Sequence, residues 1–219
     1  MLSLWADHFN KPADSAGKSF AFLLGQIKEP YMKSGWWGVY DFIEFVADYP
    51  RSRKDTDQLI ASFNAVLEKH VSAYRFVGTK LAPITSEEEI TAVEQAMSHG
   101  GQFKPVVAHL ETALARLADR STPDYRNSIK ESISAVEAVC QILTGDPKAT
   151  LGQALKKLGI HPALEQGFSK IYGYTSDADG IRHALLEEST VDADDAKFFL
   201  VSCSAFVNYL IAKSTGHDL

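Results

Sequence analysis

The sequence predicts a mainly α-helical protein in two parts, a helical N-terminal domain carrying one small β-hairpin and a four- to five-helix bundle. Three observations predict it. Apolar residues recur at spacings of three and four through most of the 219 residues. That period breaks once, at 74-YRFVGTKLAPI, where two short extended stretches flank Gly78-Thr79-Lys80. The segment 98-SHGGQFKP then interrupts helical spacing with two glycines and a proline, and places a domain division near residue 101. The expected domains are 1–101 and 102–219.

The elements follow in order. Residues 14–29 carry Phe20, Leu23, Leu24 and Ile27 on one helical face, with Pro30 as the expected stop. In 36-WWGVYDFIEFVADYP, Trp36, Val39, Tyr40, Ile43 and Val46 form a stripe that Trp37, Phe42 and Phe45 widen. A helix apolar over so much of its circumference is expected to be central, its aromatics in the core. A third helix covers about 55–70. After the hairpin, Ser86 stands three residues before Glu89, a capping box at the head of another helix, and the acidic triplet Glu87-Glu88-Glu89 suits that helix's positive end.

Beyond residue 101 a helix is expected over about 106–119, and 120-RSTPDY turns into the longest helical pattern. There Ile129, Ile133, Val136, Cys140 and Leu143 share a face, while Arg126, Lys130 and Glu137 project together beside it. Charges on such a flank are often partly buried and then need a partner, so an ion pair is one reading and a ligand-binding edge the other. Two shorter helices follow 145-GDPKAT and 159-GIHPAL. The last helix starts at an Asp192 cap and is apolar nearly all round from Phe198 to Ile211, so it must be covered within the bundle or by another copy of the chain.

Composition excludes some functions. The chain is 45% hydrophobic and 23% charged, with a formal charge of -6, which argues against a broadly basic nucleic-acid surface and gives no DNA-specific signal. No apolar run approaches the roughly 20 residues a bilayer span requires, and no basic residue precedes the short apolar N-terminal stretch of a would-be secretory signal. The only cysteines, Cys140 and Cys203, lie in apolar helical patterns, so a reducing, cytoplasmic setting is expected.

One stretch, 173-GYTSDADGIRHALLEE-188, gathers possible ligands into what reads as a tight turn leading into a helix. A calcium loop with Gly180 as its glycine has Asp177 and Asp179 in place. It has Thr175 where the first ligand belongs and Leu186 where the bidentate glutamate belongs. The seven histidines are scattered without zinc-site spacing, and 145-GDPKAT lacks the second glycine and GK[ST] ending of a phosphate loop. No cofactor or metal is expected. Helix capping by Ser176, Asp177 or Asp179 explains the acidic residues but leaves Arg182 and His183 over. Arginine offers a planar fork for phosphate or carboxylate, histidine a proton near neutral pH, and Tyr172 and Tyr174 lie just upstream as stacking surfaces or hydroxyl donors.

The segments 125-YRNSIKESISAVEAVCQILTG, 149-ATLGQALKKLGIHPAL, 168-FSKIYGYTSDADGIRHALLEE and 196-AKFFLVSCSAFVNYLI, with 37-WGVYDFIEFV and 73-AYRFVGTKLAPITSEEEI in the first half, resemble bacterial proteins that join an AbiJ-type N-terminal domain to a HEPN-like helical domain. The resemblance implies a part in abortive infection, in which an infected bacterium arrests its own growth. It also implies dimerisation through the helical bundle and RNA as a partner. Many HEPN domains are metal-independent ribonucleases with an R-x4-6-H motif, but Arg182 is followed at that spacing by Glu187, Glu188 and Ser189, and Arg126 by Glu131, Ser132 and Ile133. The expectation is therefore a module that binds RNA, a nucleotide or another anionic ligand through Arg126, Lys130, Glu137, Tyr174, Asp177, Asp179, Arg182 and His183. The alternatives are an atypical ribonuclease with His183 as general acid or base and Arg182 steadying phosphate, and a purely structural assembly module.

Overall fold

In the computed structural model, residues 12, 15, 19–49, 52–177 and 191–215 are described. They form nine α-helices, a short 3-10 helix and one antiparallel hairpin, so the mainly helical expectation holds. The chain divides into two compact units, Met1–Val66 and Leu67–Leu219.

The first unit holds α1 (Phe20–Lys33), α2 (Trp36–Asp48) and the larger part of α3 (Arg53–Lys69), within which the division falls. Pro30 does not stop α1 but lies inside it. The proline removes one backbone donor without ending the helix, which closes instead at Ser34, whose N–H donates to the Tyr31 carbonyl at 3.3 Å. The Tyr31 and Phe42 rings, 4.6 Å apart, join α1 to α2. Burial, helped by the charge of Asp41, pushes the Tyr31 hydroxyl up to about 12. The aromatics of α2 are not the core predicted for them. Trp36 and Trp37 are 53% and 55% exposed, and only Ala47 of this helix is buried. Periodicity marks an apolar stripe but does not say how much of it a neighbour covers.

The second unit begins with the end of α3 and the hairpin. Strands β1 (Arg75–Val77) and β2 (Lys80–Ala82) pair in the register Arg75↔Ala82, Phe76↔Leu81 and Val77↔Lys80. Gly78 takes the positive φ of 56° that the two-residue turn needs, and its N–H donates to Glu94 Oε1 at 2.8 Å, tying the turn to α4 (Glu87–Met97). Ser86 caps α4 by accepting from the Glu89 N–H, while its hydroxyl donates to Glu88. The side-chain half of the expected box is thus made, and Glu88 accepts the Ser86 hydroxyl's hydrogen bond in place of a glutamate accepting from the Ser86 backbone N–H. That hydrogen bond, followed by one from its own backbone, lowers the Glu88 carboxyl below its ordinary value.

The Gly100-Gly101 break becomes a 3-10 helix, Gly101–Phe103, leading into α5 (Lys104–Ala118). Then come α6 (Tyr125–Thr144), α7 (Leu151–Lys157), α8 (Pro162–Asp177) and α9 (Ala193–Thr215). Asp124 caps α6 through the Asn127 N–H, Gly145 ends it at φ 65°, and Asp192 caps α9 by accepting from the N–H groups of Asp194 and Asp195. The long α6 packs between α5 and α9, α9 also lies on α4, and β2 lies on α5. Ile129, Val139, Leu110 and Leu200 are buried where these helices meet. One core therefore runs from Val77, Ile84 and Val93 to Leu210 and Ile211. The hairpin and α4, which precede the break predicted near residue 101, belong to the same compact unit as the bundle helices that follow it.

Candidate functional site

Because α6 is capped at both ends and buries Ile129, Ile133 and Val136 on one side, its remaining stripe is held at a fixed angle to its neighbours. Arg126, Lys130 and Glu137 share that stripe. Lys130 is exposed, and Arg126 and Glu137 are half-buried. The Tyr172 hydroxyl of α8 donates to Glu137 Oε1 at 2.7 Å, so this carboxylate links two helices. Face-to-face stacking of Phe168 on Phe206 fixes α8 to α9 as well. Tyr172 is thus one of the two tyrosines expected to supply a hydroxyl. The segment read as a tight turn from Gly173 is helical as far as Asp177, because α8 runs on through it. Tyr174 and Asp177 lie in that helix, with side chains outside the described residues, as are Asp179, Arg182 and His183 altogether. The expected grouping of Arg182 and His183 with Arg126 and Lys130 also falls outside them.

A second polar arrangement escaped the sequence reading. Along the seam of α5 and α6, His109 Nδ1–H donates to Glu131 Oε2 at 2.6 Å, and Arg116 Nη1 donates to Asp124 Oδ2 at 2.6 Å. The two pairs are seven residues apart on each antiparallel helix, a rung spacing that returns side chains to the same edge. Between them the buried Ser128 hydroxyl donates to the Ala113 carbonyl at 2.8 Å. The available signal was the antiparallel register itself, which a single sequence does not display. A carboxylate on Nδ1 orients the His109 ring with Nε2 at the opposite end, the arrangement by which histidines are readied for proton transfer.

On the outer face of α5 an open cleft of about 820 Å³ is lined by Lys80, Glu111, Thr112, Arg116, Asp119 and Asp124. Two of its carboxylates already have work. Asp124 caps α6 and pairs with Arg116. Asp119 accepts from the N–H and hydroxyl of both Ser121 and Thr122, and those hydrogen bonds, led by the Thr122 N–H, bring it down to about 2. The cleft carries three carboxylates against two cations, which suits a turn and a helix cap better than an anion site. Among the described residues no group of three histidine, cysteine or acidic side chains could hold a metal ion. Cys140 and Cys203 are both free and buried, and burial pushes each thiol up to about 12.

These features define a mainly helical protein with one hairpin and a polar flank on its longest bundle-side helices. Within it, residues 7–99 match the family described as AbiJ N-terminal domain 4, which supports an AbiJ-type N-terminal domain. The matched stretch crosses the division after Val66 and takes in the hairpin and α4. No curated protein and no solved structure matches the chain.

Proposed function

We propose that this chain acts in abortive infection or a related stress response, with a HEPN-like bundle that dimerises and binds RNA or another anionic ligand without cleaving it. The observation that carries the reading is the AbiJ-type match over residues 7–99. Ahead of the bundle's own chemistry, it supplies the link to growth arrest on infection. Binding is favoured on the α6 flank, where exposed Lys130 and half-buried Arg126 stand on one stripe and Tyr172 secures Glu137. Cleavage is disfavoured by sequence: none of the seven arginines is followed at R-x4-6-H spacing by a histidine.

The test has two arms. Purified chain is titrated into fluorescent tRNA in EDTA, beside Arg126→Ala/Lys130→Ala and Arg182→Ala/His183→Ala variants, and the RNA is then run on a denaturing gel. Binding that weakens in the variants with the RNA intact is expected; cleavage lost in the second variant would replace this reading with the ribonuclease one. Cells expressing the chain are also challenged with phage at low and high multiplicity. Protection at low multiplicity and culture collapse at high multiplicity is expected, and unchanged plaque counts across a broad phage panel would overturn the defence reading.

A further inference from the structure

Helix α9 was expected to be covered within the bundle or by another copy of the chain, and within its own chain one face is left bare. Between Lys197 and Lys213 it carries no charged side chain, yet Phe198 is 54% and Tyr209 38% exposed, with Ala205 exposed between them and Ser202 half-buried. These four residues fall within one narrow stripe of the helix. A solvent-facing helical stripe is ordinarily charged or polar, so an uncharged one about three turns long marks a surface awaiting a partner.

We infer that this stripe is the contact through which two copies of the chain pair, their α9 helices antiparallel. This rests on the dimer reading above and names its interface. The stripe is self-complementary about its own midpoint, as a two-fold contact requires. When Ser202 of one protomer faces Ala205 of the partner subunit, Phe198 faces Tyr209 of the partner subunit, and the small residues at the centre let the helices approach closely. The same register sets exposed Asp194, which also pairs with Lys197 of its own helix at 3.1 Å, opposite Lys213 of the partner subunit at each end. This charge complementarity also opposes the two helix dipoles. Beside Phe198 lies an open apolar pocket of about 370 Å³, lined by Lys170, Ile171, Asp195, Phe198 and Phe199. Tyr209 of the partner subunit enters it, ring against Ile171 and Phe199, hydroxyl toward the Lys170 and Asp195 rim. An aromatic anchor in a mostly apolar pocket is the usual centre of binding energy in an interface. One helix pair with two such anchors lies at the low end of specific interfaces, roughly 1,200 Å² in total, and gives a reversible dimer.

Sedimentation equilibrium of the full chain without RNA, from the low to the high micromolar range, tests it. The wild type is expected to pass from monomer to twice the monomer mass. Ala205→Arg, on an exposed position and therefore compatible with folding, is expected to weaken pairing at least tenfold with an unchanged thermal melt. Asp194→Lys and Lys213→Glu are each expected to weaken it, and their combination to restore it. A monomer at every concentration overturns this inference together with the dimer reading. A dimer indifferent to Ala205→Arg overturns the α9 interface and leaves the dimer reading standing. Loss with Ala205→Arg but no recovery in the double charge exchange overturns the antiparallel register.

Discussion

The segment matched to the AbiJ-type domain is not expected to fold as a whole when cut at its own boundary. A fragment ending at residue 99 keeps the hairpin and α4 but loses α5 and α9, against which they pack. Val77, Ile84 and Val93 have no exposed surface in the whole chain and belong to the core those helices complete. Burying each such side chain contributes about 1.5–3 kcal/mol, so the cut removes roughly 5–9 kcal/mol from this part of the fold. That approaches the total stability of a typical domain, about 5–15 kcal/mol. The complementary fragment, residues 67–219, keeps the hairpin and its supporting helices together and is expected to retain a cooperative unfolding transition. The assay is amide hydrogen exchange on both fragments, read at Val77 and Lys80, the hydrogen-bonded pair that closes the turn, with thermal melts followed by circular dichroism. Protected hairpin amides and a cooperative melt in the 1–99 fragment would refute the reasoning, since the hairpin would then have found its core in the N-terminal part alone.

Three further outcomes follow from single groups. The Asp119 carboxyl is lowered to about 2 by its hydrogen bonds, so its stabilising contribution is present above its ordinary value of 3.8 and is lost as pH falls toward 2. Asp119→Ala should therefore melt below the wild type at neutral pH, with the gap closing as pH drops through that window. The Cys140 and Cys203 thiols, buried and raised to about 12, should not react with a thiol reagent at pH 8 in the native protein, and both should react in denaturant. Ser204 is fully buried with its hydroxyl lacking a hydrogen-bond partner, so Ser204→Ala should raise stability by about 1 kcal/mol in a urea titration. A loss of stability there would show that the hydroxyl is satisfied in solution.

Helix positions were legible because burial writes its period into the chain. The Ile129–Cys140 face of α6 and the Asp192 cap of α9 stand where spacing and chemistry predicted them. Termination was less legible. Pro30 lies inside α1, and α8 runs on as far as Asp177 through the start of the segment read as a tight turn. In both cases a local signal gave way to a helix extended by its neighbours or its own ladder. Coverage was least legible. Trp36 and Trp37 looked like core and are half exposed, while α9, expected to be covered within the bundle or by another copy of the chain, shows a bare stripe within its own chain. How much of an apolar face is covered depends on what docks there, and that information lies in tertiary contacts. For the same reason the His109–Glu131 pair, twenty-two residues apart in sequence, could not be seen before α5 and α6 were set antiparallel.

The proposed anionic ligand must also be reconciled with a chain whose net charge is -6. The long-range interaction with RNA is repulsive on balance, so binding has to come from close contacts at a few cations. If Arg126 and Lys130 are the two that meet phosphate, each releases its counterions and the logarithm of affinity should fall against the logarithm of salt with a slope of about -1.4 for single-stranded RNA. A groove with six phosphate contacts would give about -4 instead. Anisotropy titrations across a salt series distinguish them directly. Lys130→Ala should reduce the slope by about 0.7 while weakening binding to all sequences alike. A slope that stays near -4 in that variant would place the phosphates along a different and longer surface, and would remove the α6 flank from the recognition site.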